Sequence, residues 1–256
     1  MSESSEILDL ALQVAKEAGA FLRMRPDGFN IETKSTAIDI ATQMDRDAEA
    51  MIVSKILAAR GDDGIIGEEG ATRKSNSGLT WVIDPLDGTV NYLYGLSGWC
   101  VSIACKDSSG TLVGVVHAPT LEESTWWAVR GGGAFRNGHR IHVSSESELD
   151  RALIGTGFAY SLELRKEQVR VINDLLPRCR DIRRLGAAAV DLCHVATGTL
   201  DAYFEVGLKE WDKAAGALII EEAGGVVTGG ENESSRLVAA NPALHQRLTG
   251  FLSAYR

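Results

Sequence analysis

The stretch Trp81–Thr89 constrains the fold and the chemistry of this chain more than any other. Its apolar first half predicts a buried strand. Pro85 is predicted to stop that strand, because proline has no N–H to donate to a strand ladder. Asp84 and Asp87 are therefore expected at the strand's end, facing the same turn. Two carboxylates held this close repel each other unless a cation lies between them, which indicates a metal site.

Two other acidic clusters accompany this turn. Glu68 and Glu69 follow an apolar segment, and Asp212 directly precedes a predicted helix. Folds often gather functional groups at such positions. No nearby Cys or His favours zinc or copper, and the oxygen donors suit Mg²⁺, Mn²⁺ or Ca²⁺. Two such ions held close together can clamp both the attacking and the leaving oxygen of a phosphoryl transfer.

Each acidic cluster has a simpler structural explanation when it is taken alone. The pattern Asp-x-x-Asp-Gly is mostly a turn, since Asp and Gly favour turns for conformational reasons. The pair Glu68-Glu69 is typical of a solvated loop end, and Asp212 is typical of a helix N-cap. The sequence has no Walker loop, G-x-G-x-x-G or G-x-S-x-G motif, so nucleotide-cradle and serine-hydrolase interpretations lack their motifs.

Gly88 and Thr89, within the same turn, supply groups that could bind an anion. If a helix starts there, its free N–H groups and the positive end of its dipole would bind phosphate oxygens. The hydroxyl of Thr89 could also orient a water molecule. The turn thus combines cation ligands with a phosphate cradle.

Composition limits the classes of protein to consider. The chain has 256 residues, 45% of them hydrophobic, which is enough for a sizeable core. Its net charge of -9 argues against a general nucleic-acid binder, and it has no apolar run of about 18 residues for a membrane span. The acidic, polar start does not resemble a signal peptide. The four cysteines show neither zinc spacing nor a disulfide framework, so a cytoplasmic location is expected.

Hydrophobic periodicity predicts helices alternating with strands. A sheet-rich middle gives way to alternating helix and strand near residues 144–150, which predicts an N-terminal α+β lobe (1–146) and a C-terminal α/β lobe (147–256) in one compact unit. Asn137-Gly138 predicts a type I′ hairpin turn. The predicted helices cover about 6–25, from near 42 to 60, 162–176, 187–196, 213–222 and from near 242, and the predicted strands 98–105, 111–118, 124–129, 201–205, 225–228 and 237–240.

The acidic clusters, taken in order and spacing along nearly the whole chain, resemble the inositol monophosphatase family. The strand-end motif is the most specific of the matching segments. They are Lys34-Ser35, Thr42–Asp45, Gly67–Glu69, Trp81–Asn91, Gly186–Ala189, Asp201–Glu205, Trp211–Gly216 and Glu222–Gly225.

The resemblance implies a layered αβαβα sandwich, a homodimer and Mg²⁺-dependent, lithium-sensitive hydrolysis of a phosphate monoester, with Mn²⁺ as an alternative ion. Two to three ions are implied, and water activated by the first, oriented by Glu68 and Thr89, would attack phosphorus in line without a covalent phosphoenzyme. Asp45 would support Thr89. The implied ligands of the first ion are Glu68, Asp84 and the Leu86 carbonyl, and those of the second are Asp84, Asp87 and Asp212. The implied substrate contacts are Asp87, Gly88, Thr89, Ala187, Ala188, Glu205 and Asp212. Further candidates for the site are Lys34, Glu69 and Lys209.

The substrate follows less directly from the resemblance. Glu205 lies where family members that act on inositol place a hydroxyl-binding carboxylate, which favours inositol 1-phosphate. Lys209 and Glu210 could admit a second anionic group, so fructose 1,6-bisphosphate is an alternative substrate. Histidinol phosphate is another alternative within the same fold. Some bacterial relatives have roles with the transcription machinery, so a regulatory or binding protein on this scaffold is the non-enzymatic alternative. No membrane or nucleic-acid partner is expected.

Overall fold

The computed structural model describes residues 2–26, 28, 31–33, 40–232 and 234–255, which form an α/β fold with three sheets. Within these residues the helices are α1 (Glu3–Arg23), α2 (Gln43–Ala59), α3 (Thr89–Leu93), α4 (Leu162–Leu175), α5 (Ala188–Ala196), α6 (Glu210–Glu222) and α7 (Pro242–Leu252). The strands are β1 (Ile31–Thr33), β2 (Ile40–Thr42), β3 (Gly64–Gly67), β4 (Thr72–Arg73), β5 (Thr80–Asp87), β6 (Cys100–Asp107), β7 (Gly110–Ala118), β8 (Ser124–Val129), β9 (Gly133–Arg136), β10 (His139–Arg140), β11 (Leu153–Thr156), β12 (Asp181–Arg183), β13 (Ala202–Val206), β14 (Val226–Thr228) and β15 (Arg236–Ala240).

Two large sheets organise the molecule. The first has eight strands in the order β10-β9-β8-β7-β6-β5-β3-β4, antiparallel except for the parallel pair β3 and β5. The second has five strands in the order β12-β11-β13-β15-β14, in which β11 runs parallel to both of its neighbours. A two-stranded pairing of β1 with β2 lies outside both sheets.

Three apolar clusters divide the fold into five layers, which confirms the expected αβαβα sandwich. Helices α1 and α2 pack on one face of the first sheet, α5 and α6 lie between the two sheets, and α4 and α7 cover the far face of the second. Strand β13 shows how one segment serves two layers. Ala202 and Phe204 pack with the outer helices and Tyr203 packs with the inner ones, because successive side chains of a strand point to opposite faces.

The structure matches most of the helix predictions and corrects one that touches the site. Thr42 caps α2, accepting from the N–H of Met44, and the carboxylate of Asp45 completes the capping box. Helix α6 begins at Glu210, three residues earlier than predicted. Asp212 is therefore not an N-cap: it lies in the first turn and accepts the N–H of Lys209, the actual N-cap, at 2.6 Å.

The strand β5 corrects the expectation for Pro85, which does not end the strand. The pairing with β6 continues to Asp87, with an irregularity between Asp84 and Asp87 that accommodates the proline. Proline is tolerated at such a bulge because the ladder there does not need its N–H. Elsewhere the hairpin signal holds: Asn137 and Gly138 have φ of 47° and 82° and join β9 to β10.

The lobe boundary between residues 146 and 147 stays a prediction. It falls on the segment between β10 and β11, where the chain leaves the first sheet for the second. Helix α6, from the second half of the chain, nevertheless packs directly against β7 of the first sheet. No described helix is long and apolar enough to cross a bilayer.

Helix α6 approaches β7 closely at Gly114, and this contact generates a stability prediction. A Cβ at position 114 would lie 2.8 Å from the carbonyl oxygen of Ala215. We expect Gly114→Ala to lower the free energy of unfolding by about 1–3 kcal/mol, since the helix must shift to avoid the clash. Urea denaturation measures the change.

The matched control is Gly250→Ala. Gly250 lies in α7, and an added Cβ there would meet no neighbouring side chain or element within 4 Å. Because alanine favours a helix over glycine, this variant is expected to gain up to about 1 kcal/mol. Equal behaviour of the two variants would contradict the close packing of α6 on β7.

Candidate active site

The bulge in β5 turns Asp84 and Asp87 toward the same face of the sheet. Residues three apart in a regular strand point to opposite faces. Here Asp84 pairs with Ser102 and Asp87 pairs with Cys100, so three steps along β5 match two along β6. The extra residue restores the alternation for Asp87, and both carboxylates face one cavity. Asp84 is only 1% exposed and accepts the N–H of Leu86 at 3.0 Å.

The loop after β3 brings Glu68 to the same cavity, and a buried carboxylate of α2 holds that loop. Glu49 accepts the N–H groups of Glu69 and Ala71, both at 2.9 Å. Its carboxylate occupies the space where a Cβ on residue 67 would lie, so Gly67 leaves room for it. Sequence analysis did not single out Glu49. The available signal was its place one turn after Asp45 on the apolar side of an amphipathic helix.

Asp45, one turn before Glu49 on α2, fixes the hydroxyl of Thr89. Thr89 Oγ1 lies 3.0 Å from Asp45 Oδ1 and 3.1 Å from the carbonyl oxygen of Leu86. A hydroxyl has one hydrogen, so it donates to one of these acceptors at a time and keeps lone pairs for another partner. Burial raises the pKa of Asp45, while its hydrogen bonds from Thr42 and Thr89 lower it.

The turn that follows β5 leads directly into a helix, as the conditional prediction required. Gly88 precedes α3 with φ of 90°, a conformation that side chains of L-residues rarely adopt. A Cβ there would also lie 3.1 Å from that of Ala187. Gly88 and Thr89 both line the cavity, so the beginning of this five-residue helix faces it.

A cavity of about 230 Å³ collects the predicted residues from five separate segments. Asp212 enters from the first turn of α6, with its carboxylate oriented by the N–H of Lys209 at 2.6 Å. Asp87 Oδ2 accepts the N–H of Ala189 at 2.7 Å, which links β5 to the beginning of α5. The predicted residues that line the cavity are Glu68, Asp84, Leu86, Asp87, Gly88, Thr89, Ala187, Ala188, Glu205, Lys209 and Asp212.

The other end of the cavity is formed by β13 and the N-terminal end of α5. Glu205 contacts the hydroxyl of Tyr203, which donates to its carboxylate. The absence of a side chain on Gly157 leaves space for Glu205, because a Cβ there would collide with the carboxyl group. Asn91 donates to the carbonyl of Leu185 at 2.8 Å and so ties α3 to the loop before Ala187.

Glu69 and Glu210 do not take the parts that the sequence analysis considered for them, and Lys34 lies outside the described residues. Glu69 does not line the cavity in the part of the chain that the structure describes; its N–H instead holds the loop through Glu49. Glu210 pairs with Lys106 and lies 3.7 Å from Lys213, so its charge is balanced within the protein.

The carboxylates of the site repel one another strongly. Burial, followed by the charges of Glu68 and Asp87, raises the pKa of Asp84 well above its usual range. Burial raises the pKa of Asp87 to about 7, against the opposing effect of the Ala189 N–H. Burial and the charges of Asp87 and Glu68 likewise raise the pKa of Asp212. A cation placed among these groups would stabilise their ionised forms.

The donor set fits hard cations such as Mg²⁺. All of the converging groups are carboxylate or carbonyl oxygens. Among the described residues, no group of three or more His, Cys, Asp or Glu side chains already forms a metal-binding cluster. Two of the free cysteines, Cys100 and Cys193, are buried close to Asp87.

The layered fold and its carboxylate-lined cavity define a phosphatase class, and the comparisons with known proteins identify it. The sequence model of the Inositol monophosphatase family matches residues 3–255. The chain therefore belongs to the inositol monophosphatase family, as its motifs predicted, and this membership supports phosphatase activity.

Individual relatives cover nearly all of this chain. It is 42% identical over 248 residues to the "Nus factor SuhB" of Pasteurella multocida, covering 93% of this chain and 92% of the relative. It is 39% identical over 243 residues to an "Inositol-1-monophosphatase" of Mycobacterium bovis, covering 87% and 83%. The crystal structure of the extragenic suppressor protein suhB from Bartonella henselae superimposes with a TM-score of 0.91 at 32% identity, covering 96% of this chain and 98% of that one.

The contacts of Glu49 predict that it positions the loop that carries Glu68. We expect Glu49→Ala to destabilise the fold by about 1–3 kcal/mol, because two backbone N–H groups lose their acceptor. Phosphate release should fall about 10- to 100-fold, because the loop that brings Glu68 to the cavity would lose its anchor.

The control for Glu49 is Asp47→Ala, on the exposed side of the same helix, where Asp47 accepts a hydrogen bond from Gln43. Urea denaturation and phosphate release should change little in this variant. If Glu49→Ala were no more affected than Asp47→Ala, the loop would not depend on Glu49.

The buried environment of Glu205 predicts a pH-dependent stability. Burial raises the pKa of Glu205 from 4.5 to about 7, although Tyr203 and then Arg184 lower it. A raised carboxyl pKa means that the folded state binds the proton more tightly than the unfolded state. The contribution of Glu205 to the free energy of unfolding is therefore fully present below pH 4.5, and it is lost as the pH rises toward about 7.

Replacing Glu205 with Gln removes this ionisation and keeps an acceptor for Tyr203. We expect Glu205→Gln to be more stable than the wild type above pH 7, by up to about 3 kcal/mol, and the difference to shrink as the pH falls toward 4.5. Thermal melting between pH 5 and 8 measures it. A difference that stays constant or grows at low pH would contradict the raised pKa.

Proposed function

We propose that this chain hydrolyses inositol 1-phosphate to myo-inositol and phosphate with Mg²⁺. The observation that supports this most is the convergence of Glu68, Asp84, Asp87 and Asp212 on the cavity that Gly88 and Thr89 line. Three separate chain segments supply these carboxylates, which an accidental turn would not do. A mutually repelling, partly buried acidic set next to backbone N–H groups fits a phosphate held between cations.

The chain's own groups have distinct roles in this proposal. Glu68, Asp84 and the carbonyl of Leu86 would hold one ion, and Asp84, Asp87 and Asp212 would hold another, with a third ion near Glu68. When bound, Mg²⁺, or Mn²⁺ in its place, supplies a Lewis acid that neutralises phosphate charge and lowers the pKa of water.

Thr89 and Asp45 would position the attacking water. The Thr89 hydroxyl donates to Asp45 or to the Leu86 carbonyl and can accept a hydrogen from water with a free lone pair. Asp45 is 0% exposed, and its carboxylate is held by the N–H of Thr42. It therefore fixes the direction of the Thr89 hydroxyl. The N–H groups of Gly88 and Thr89 would bind phosphate oxygens and align phosphorus for in-line attack.

The leaving group would lie at the end of the cavity formed by Ala187, Ala188 and Glu205. A polar wall of this kind suits a neutral polyol, and the Mycobacterium bovis relative is named an inositol-1-monophosphatase. Fructose 1,6-bisphosphate and histidinol phosphate are the alternative substrates within the fold. Lys209 lies in the cavity wall, where its positive charge could bind the second phosphate of a bisphosphate. Measuring kcat/KM for the three esters ranks them.

A second function is favoured by one specific observation, the name "Nus factor SuhB" carried by the 42% identical relative. A chain of this family can therefore also act as a regulatory protein, and we propose this as a second role. A point variant without turnover separates the two roles: if it still replaces the wild type in the cell, the regulatory role does not need catalysis.

The expected assembly is a homodimer in the cytoplasm. Tyr94 and Leu96 are 76% and 58% exposed just after α3, and Leu185 is 39% exposed on the loop that Asn91 holds. Apolar side chains exposed together beside a site support an interface with a second copy. The four free cysteines fit a reducing compartment.

Asp84→Asn tests the catalytic proposal. We expect phosphate release from inositol 1-phosphate in Mg²⁺ to fall on the order of 10³-fold, since Asp84 is assigned to both ions and each factor of ten corresponds to about 1.4 kcal/mol of transition-state stabilisation. A colorimetric phosphate assay measures the loss.

The same variant controls for folding. Asp84 is buried among like charges, so an amide at that position should leave the melting temperature equal or higher. Full activity in a folded Asp84→Asn protein would eliminate the metal mechanism. A wild type that releases phosphate from no sugar or inositol ester would favour the regulatory role alone.

A further inference from the structure

Asp191 is a buried carboxylate of α5 that the proposed chemistry does not use. Its side chain is 1% exposed, and its Oδ1 has no hydrogen-bond partner among the described residues. Buried carboxylate oxygens in native proteins are almost always paired, so an unpaired one needs an explanation. An acid in the first turn of a helix is favoured by the helix dipole, which explains the charge but not the unpaired oxygen.

The position of Asp191 relates it to the leaving-group end of the cavity. It lies three residues after Ala188 on α5, which places both on the same side of the helix, and both line the cavity together with Glu205. Burial, then the charges of Glu205 and Asp87, raise the pKa of Asp191. Arg184, exposed at the same cavity, is the cation that opposes this effect.

Asp191 has the geometry of a substrate acceptor and not of a metal ligand. The assigned metal ligands come from β5, the loop after β3 and the first turn of α6, whereas Asp191 enters from α5 beside Glu205. Oδ1 is buried and no described residue donates to it, although Asp191 lines the cavity. A hydroxyl group of a ligand has one hydrogen to donate to a carboxylate oxygen.

We propose that Asp191 is a specificity-determining residue whose Oδ1 accepts a hydrogen bond from a hydroxyl of the leaving group, beside the hydroxyl held by Glu205. The inference rests on the proposed phosphatase function and deepens it. Two neighbouring carboxylates favour a leaving group with hydroxyl donors, because an ester without them would leave Asp191 Oδ1 buried and unpaired. The substrate class is therefore a phosphorylated polyol.

The test compares Asp191→Ala and Asp191→Asn on two esters, inositol 1-phosphate and phenyl phosphate, whose leaving group carries only the ester oxygen. For Asp191→Ala, we expect kcat/KM to fall about 10- to 100-fold on inositol 1-phosphate and less than about threefold on phenyl phosphate. Asp191→Asn keeps an acceptor oxygen and should retain most of the preference. Its melting temperature should equal or exceed that of the wild type, because it removes a buried unpaired charge.

His194→Gln is the matched control. His194 lies one turn further along α5, and its Nδ1 is likewise buried without a partner among the described residues, but its ring packs against Trp126 and not in the cavity. This variant should keep the wild-type ratio of the two kcat/KM values.

The outcomes separate the inference from the function on which it rests. Equal losses on both esters, or an Asp191→Asn protein that melts well below the wild type, would assign Asp191 a structural role and overturn the inference while phosphatase activity stands. A wild type that hydrolyses neither ester with Mg²⁺ would instead contradict the proposed function, and the inference with it.

Discussion

Mutual repulsion among the acidic side chains around Asp84 is the constraint on which the rest of the site depends. Four carboxylates from three segments face one cavity, and burial together with the neighbouring charges raises the pKa of Asp84 and of Asp212. The carboxylates stay close together only if rigid parts of the backbone fix the position of each one against this repulsion. The bulge of β5 directs Asp84 and Asp87, the first turn of α6 directs Asp212, and Glu49 of α2 holds the loop of Glu68.

The sequence predicted the family and the layered fold, and most of the residues that it singled out line the cavity, because these features depend on motif order and on hydrophobic periodicity. It failed where the outcome depends on pairing between distant segments. Pro85 reads locally as a strand stop, yet the ladder with β6 continues through a bulge that no local pattern encodes. Asp212 reads as an N-cap because Trp211 and Glu210 carry no clear helix signal before it.

Glu49 and Asp191 were missed for the same physical reason. Each is a charged residue on the buried side of a helix, and its role depends on what the tertiary fold places opposite it. For Glu49 the partners are two backbone N–H groups 20 and 22 residues away. For Asp191 no described residue forms a hydrogen bond with Oδ1. A buried acid in an amphipathic helix was the only signal available, and it does not name a partner.

Helix α2 places its two supports, Asp45 and Glu49, four residues apart and therefore one above the other on a single helical face. One carboxylate directs the Thr89 hydroxyl and the other anchors the Glu68 loop. Each residue of an α-helix turns by about 100°. Inserting or deleting one residue between them would swing one support away from its partner while the other stayed in register. The helix therefore sets the distance between the two segments of the site that it supports.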